Sequence, residues 1–272
     1  MDKITVSAIV HTRNSSKTLD QCLSSLRWVN ELIIVDMHSQ DNSLEIARQY
    51  TNHIYHQAPV SRVDGIRNEY LNFVTSEWTL VIDSDEFLSE DAEHLISQTI
   101  QNYAAEYDAF RLPRYNRIGD QVMRGSGWSP DPQLRLFRKN SVLWSDTNHN
   151  IPRVSDESSR IKILEGPSTP YIHHQNYRDL RHFIHKQLEY ALNDIYEQQP
   201  ESFDFGSYVN QAYGALAWRG DTQNDGELSH ALSLVMAWDQ LMRGLIHWDS
   251  LNPRPPLDEL LAMPIQSKPD ES

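Results

Sequence analysis

Through the first 110 residues, short apolar runs alternate with stretches in which apolar residues recur every three or four positions. The runs Ile4–His11, Glu31–Val35, Asn52–His56 and Trp78–Ile82 predict strands. The stretches up to Arg27 (with Ser15 or Ser16 as the cap), Ser43–Tyr50, Val63–Val74 and Glu90–Tyr103 predict helices. Continuous β-branched runs joined by helical crossovers predict a parallel sheet covered on both faces. Right-handed crossovers then make the fold a doubly wound, Rossmann-like α/β arrangement of the nucleotide-binding type. The rhythm changes afterwards. Ala109–Arg117 and Gln133–Arg138 predict further strands, separated by a Gly/Pro-rich loop around Trp128 that is too long for a hairpin turn. Beyond Tyr177, Leu180–Glu197, Tyr208–Trp218 and Leu228–His247 predict amphipathic helices. The expected organisation is an α/β domain over 1–175, a helical region over 176–252 and a Pro- and charge-rich tail over 253–272.

Charge narrows the partners. With 24 Lys and Arg against 38 Asp and Glu, the net charge is −14, which argues against broad binding to a nucleic-acid backbone. No apolar run approaches the length of a membrane span, and no basic segment followed by an apolar stretch marks a secretory leader. The single Cys22 excludes an intrachain disulfide and agrees with a reducing, cytoplasmic setting. Cys22 shares a helix face with Leu19, Leu23 and Leu26, so it reads as a core residue.

The chemistry begins where the fourth strand ends. Leu80-Val-Ile-Asp83-Ser-Asp85 takes an apolar run straight into two carboxylates one residue apart. Ligands of open α/β sheets sit outside the carboxyl ends of the strands. Carboxylates at i and i+2 there hold a hard divalent cation, and that cation lets an acidic protein bind a phosphate. The competing reading makes the same acids a cap for the next helix. Three other constellations end neighbouring elements: Thr12-Arg13-Asn14, Asp36 through Ser43, and Arg67-Asn68.

Taken in order, Thr12/Asn14, Val35-Asp36 with Ser39 and Asp41, Arg67-Asn68 and Asp83/Asp85 resemble the pattern of family 2 glycosyltransferases, inverting nucleotide-sugar enzymes with the GT-A fold. Gln133–Arg138 and Tyr171-Ile-His173-His174 are similar to the subgroup containing lipopolysaccharide-core glucosyltransferases. The resemblance implies a nucleoside diphosphate sugar, UDP-linked, bound with Mg²⁺ or Mn²⁺. In it Asp36 accepts from the nucleobase, Thr12 and Asn14 line the same pocket, and Arg67 approaches the base or the phosphates. Asp83 lies near the ribose and the metal, and Asp85 holds the ion against the diphosphate. Asp41 reads as structural, placed to cap the following helix.

An inverting transfer also needs a base on the acceptor hydroxyl. The subgroup carries an acid after the Leu-Phe-Arg strand, where this chain has Asn148-His149-Asn150. The candidates for the base are Asp131, Asp146 and His149. Trp128 either stacks on an acceptor sugar or pegs its loop into the protein. The implied acceptor is a saccharide or lipid-linked saccharide in cell-envelope synthesis, with peripheral membrane contact and a homodimer both open. The alternative is a non-catalytic nucleotide-sugar-binding or scaffold protein, motivated by Asn150.

Overall fold

The computed structural model of the chain describes residues 4–60, 63–144, 152–155, 160–166, 168–198, 202–219 and 222–252. The first half runs β1 (Val6–Thr12), α1 (Leu19–Ser24), β2 (Glu31–Asp36), α2 (Ser43–Ala47), β3 (Ile54–His56), α3 (Asp64–Leu71) and β4 (Trp78–Asp83). β5 (Glu86–Leu88), α4 (Ala92–Tyr103), β6 (Ala109–Ile118), β7 (Gln121–Val122) and β8 (Pro132–Arg138) follow. Short strands come next: β9 (Val142–Trp144), β10 (Pro152–Val154), β11 (Ile161–Ile163) and β12 (Ile172–Tyr177). The chain then becomes helical, with α5 (Leu180–Gln198), α6 (Phe205–Arg219), α7 (Thr222–Asp225) and α8 (Glu227–Leu251).

The main sheet has the order β3-β2-β1-β4-β8-β6-β12-β5. Strands β3, β2, β1 and β4 are mutually parallel; β8 enters antiparallel between β4 and β6, and β12 pairs parallel to β6. This is a mixed, mainly parallel GT-A sheet flanked by helices, with further helices after it. Strand alternation sends Ala8, Val10, Leu80 and Ile82 to one face, where Leu19, Cys22, Leu23 and Ile96 cover them. Ile9, Ile33, Val35 and Val81 point to the other face, under Tyr70 and Leu71 of α3. Burying each such aliphatic side chain contributes about 1.5–3 kcal/mol. Two-sided burial is why these strands read as unbroken apolar runs.

A third, smaller core joins the sheet to the helices. Phe183 of α5 and Leu232 of α8 enclose Ile118, Met123 and Tyr177. The loop between β7 and β8 is tied to the helices by Asp225, whose carboxylate accepts from Arg124 N (2.7 Å) and Gly125 N (2.9 Å). In that loop Gly127 has φ +73°, and a Cβ there would lie 2.8 Å from the Trp218 ring, so both conformation and space require glycine. Among the described residues no helix is long and apolar enough to cross a membrane. The tail from residue 253 lies outside the described residues.

Candidate active site

The carboxyl ends of β1, β2 and β4 meet at one rim, because Thr12 pairs in register with Asp36 and His11 with Asp83. The loops after β1 and β2 each pass through a left-handed residue, Asn14 (φ 51°) and His38 (φ 54°). They then hold each other: Asn14 N donates to Ser39 Oγ (3.0 Å) and Gln40 N to Asn14 Oδ1 (2.7 Å). Asp41 accepts from Ser16 N and Ser43 N, both at 3.0 Å, and from Ser43 Oγ. Burial pushes its carboxyl up, but these hydrogen bonds dominate and bring its pKa down to about 2. Asp41 therefore links the two loops as a structural acceptor, while the N-cap of α2 is Asn42 rather than Asp41. Asp36 is buried and its two oxygens face Ser39 N at 3.3 and 3.4 Å, with His56 Nδ1 3.6 Å away. Thr12 is fully buried, and its Oγ1 has no partner among the described residues.

After Asp83 the chain makes a two-residue turn and enters β5; α4 begins only at Ala92, with Asp91 at its N-cap. The helix-cap reading of Asp83 and Asp85 is thereby excluded. Ser84 Oγ in this turn lies 2.8 Å from Ser15 Oγ, which joins the β4 rim to the loop after β1.

Asp83 and Asp85 then part company. One oxygen of Asp83 pairs with Arg67 and the other with Arg135 at 2.5 Å. Arg135 also reaches the fully buried Glu86 (2.8 Å), Glu86 binds Arg114 (2.9 Å), and Arg114 binds Asp131 (2.7 Å). Charges alternate along the whole chain of contacts, stapling α3, β4, β5, β6 and the start of β8. Burial raises the Asp83 pKa, but Arg135 and Arg67 more than offset it and hold the carboxyl well below the usual carboxylate range. His11, buried beside it, is pushed down to about 3 by burial first and by Arg67 second, so the ring is neutral. Both Asp83 oxygens thus face guanidinium groups, whereas Asp85 is bound by neither arginine.

The Asp85 side chain is 44% exposed, and its Oδ2 lies 3.5 Å from His174 Nε2. His174 has a defined orientation. Asn116 Nδ2 donates to Trp128 O and Asp131 Oδ2, both at 2.8 Å, so Asn116 Oδ1 is the atom 2.7 Å from His174 Nδ1. That oxygen can only accept, so Nδ1 carries a hydrogen and Nε2 is the nitrogen that faces Asp85. A carboxylate oxygen and an imidazole nitrogen suit Mn²⁺, and Mg²⁺ needs few protein ligands when phosphates supply the rest. Among the described residues, no group of three or more His, Cys, Asp or Glu forms a complete cage.

Next to Asp83 opens a cavity of about 490 Å³ lined by Arg67, Arg111, Arg114, Arg135, Gln133 and Trp144. Arg67 and Arg135 are both buried, and each Nε lacks a partner among the described residues. Asp131 is fully engaged, by Arg114, by Asn116 and by Gln133 Nε2 (2.5 Å). Burial raises its carboxyl pKa, but Arg114 and these amides outweigh it, for a net downward shift. The Trp128 ring, half-buried, meets Tyr177 and Phe183 edge-on and lies beneath the Arg219 guanidinium. These contacts are those of the loop-peg reading. Asp146, His149 and Asn150 lie outside the described residues. Arg135, Glu86 and Arg114 have network roles that their sequence context leaves unassigned. An arginine inside an apolar strand, Leu134-Arg135-Leu136, was the available signal that a buried carboxylate must lie opposite.

Residues 7–153 match the model of Glycosyl transferase family 2, and the chain belongs to that family. A TPR repeat-containing protein of Synechococcus elongatus is 32% identical over 181 residues, covering 63% of this chain and 42% of the relative. The chain thus spans under half the length of that curated relative. Among solved structures, S. aureus TarS (1–349) is similar at 16% identity and a TM-score of 0.47, over 94% of this chain and 77% of that one. Glucosyl-3-phosphoglycerate synthase from Mycobacterium tuberculosis, in complex with Mg²⁺ and UDP, is similar at 17% identity and a TM-score of 0.35, over 42% and 44%.

Proposed function

We propose that this protein is a metal-dependent inverting glycosyltransferase that moves a sugar from a UDP-sugar to an acceptor hydroxyl. The observation that carries the reading is the pairing of Asp85 with His174 at the rim where Thr12, Asp36 and Asp83 end parallel strands, in a family 2 chain. In this reading Asp36 accepts from a nucleobase N–H, with Thr12 and Asn14 beside it. A charged acceptor strengthens such a bond. Asp85 and His174 hold Mg²⁺ or Mn²⁺, which when bound offsets charge on the departing nucleoside diphosphate. Arg67 and Arg135 line the phosphate side of the cavity while fixing Asp83.

The acceptor is proposed to be a saccharide or lipid-linked saccharide of the cell envelope. It would enter between the Trp128 loop and the arginine-lined cavity. The base is sought among Asp131, Asp146 and His149. Of these, Asp131 is a poor proton acceptor, because its ion pair with Arg114 favours the charged carboxylate. Residues 1–175 would form the catalytic domain, with 176–252 bracing the acceptor-side loop through Asp225 and Arg219. The test is Mn²⁺-dependent hydrolysis of UDP-sugars by Asp85→Ala and His174→Ala. Loss of turnover by at least about 1,000-fold, roughly 4 kcal/mol, is expected for Asp85→Ala. Wild-type turnover in that variant would refute the metal assignment.

A further inference from the structure

Helices α6 and α8 form a hairpin with two unlike sides. Tyr208, near the start of α6, packs on Gly244 and His247 near the end of α8, and Tyr208 Oη lies 2.9 Å from His247 Nδ1. The helices therefore run antiparallel. On one side of α8, Leu232 packs with Phe183 and Tyr177. Arg243 there pairs with Asp239 (2.9 Å) and reaches Asp194 of α5 (2.7 Å). On the other side α8 presents Leu234, Trp238, Leu241 and Leu245 to solvent. Their spacing of four, three and four is that of a coiled-coil seam. Helix α6 likewise exposes Phe205, Val209, Tyr213 and Leu216.

At about 100° per residue, the α6 row lies roughly 85° from its line of contact with α8, and the α8 row roughly 120° from its own. In an antiparallel pair those offsets turn both rows to the same side. The result is one continuous face of eight large apolar side chains, with Leu234 62% and Tyr213 68% exposed. At on the order of 200 Å² each and about half exposed, they amount to roughly 800 Å². That is about what each partner buries in a standard interface of roughly 1,600 Å² total, and it is large for an isolated monomer.

Charge decides the occupant. Phe205–Trp218 contains no Asp, Glu, Lys or Arg, and Leu228–Trp248 contains only Asp239 and Arg243, which pair with each other. A face without Lys or Arg lacks the cationic rim that an interfacial helix uses on anionic lipid, and a charged partner would find no complement. On a chain of net charge −14, a neutral apolar face is suited to its own copy, because local like-charge repulsion is absent. We propose that this face is a homodimer interface, with the α6–α8 hairpins of two copies packed across a two-fold axis. In the antiparallel pairing, Leu234 of one copy meets Leu245 of the other, and Trp238 meets Leu241.

Sedimentation velocity of the full chain, up to about 100 µM, reads the proposal directly. Wild type should have twice the chain mass, and Leu234→Glu/Leu245→Glu should weaken association at least about 100-fold by burying unpaired charge. Leu192→Glu, exposed on α5, should leave the dimer intact. If the double variant misfolds, Leu234→Cys/Leu245→Cys should give an interchain-linked dimer on oxidation, Cys22 being buried. A monomeric wild type, a dimer that survives the charged pair, or failure of the cysteine pair to cross-link overturns the proposal. So does a monomer that sediments with phosphatidylcholine vesicles, which would assign the face to lipid.

Discussion

The rim at the end of β4 and the C-terminal helices are built by opposite means. At the rim, Arg67, Arg114 and Arg135 alternate with Asp83, Glu86 and Asp131, and the fold is held by charges that water reaches poorly. In the helices, one small core around Phe183 and Leu232 does that work, while the outer face of α6 and α8 is uncharged and apolar. The difference lies in what each region leaves free. The network engages both oxygens of Asp83 and leaves the Asp85 carboxylate exposed, a polar site. The hairpin pairs Arg243 with Asp239 and with Asp194 of α5 and leaves an uncharged apolar face, an interaction surface.

The strongest blow to this contrast is Arg135→Ala. It leaves Asp83 and the fully buried Glu86 short of a counter-charge, and loss of a buried partner costs about 3–5 kcal/mol. Urea unfolding at neutral pH measures it; a loss under about 1 kcal/mol would mean that the network is effectively solvated.

Acid should act on the rim next. His11 has a folded pKa of about 3 against 6.5 in the open chain, so its contribution is whole above pH 6.5 and is lost as pH falls towards 3. Asp83, whose folded pKa is depressed by Arg135 and Arg67, adds a loss of the same sign below the ordinary carboxylate range. Urea midpoints should therefore fall steadily from pH 7 to pH 4, and His11→Asn should flatten the upper part of that fall. A curve unchanged by His11→Asn would contradict the assignment.

Phe183→Leu sharpens the other side. It trims the small core for about 1–1.5 kcal/mol and should leave the calorimetric affinity for UDP with Mn²⁺ unchanged, since Phe183 does not belong to the rim. A coupled loss of affinity would show that the helices set the donor site. Smallest is Asp41→Ala, which removes the acceptor for Ser16 N and Ser43 N; about 1 kcal/mol is expected, the scale of a lost cap.

Sequence legibility follows the same divide. The strands β1, β2 and β4 were readable because two-sided burial makes them continuous apolar runs, and α5, α6 and α8 because their apolar positions recur at helical spacing. The strands β5 and β9 to β12 were not, being three to six residues long and set by their partners: β5 exists because Phe87 and Leu88 pair with His173 and Ile172. The rim carboxylates were also visible as a set. Their division of labour was not, since Asp83 and Asp85 differ only in what reaches them from 16 and 52 residues away, Arg67 and Arg135. Trp128 could be read two ways because an aromatic ring in a Gly/Pro loop serves either as platform or as peg, and only Tyr177, Phe183 and Arg219 distinguish them.

A crystal structure of the protein with UDP and Mn²⁺ tests the central claim most directly. The ion should sit at ligating distance, about 2.1 Å, from an Asp85 oxygen and near His174 Nε2, with Asp83 still paired to Arg67 and Arg135. An ion bound by Asp83, or a bound UDP whose diphosphate lies away from Asp85, would contradict the account.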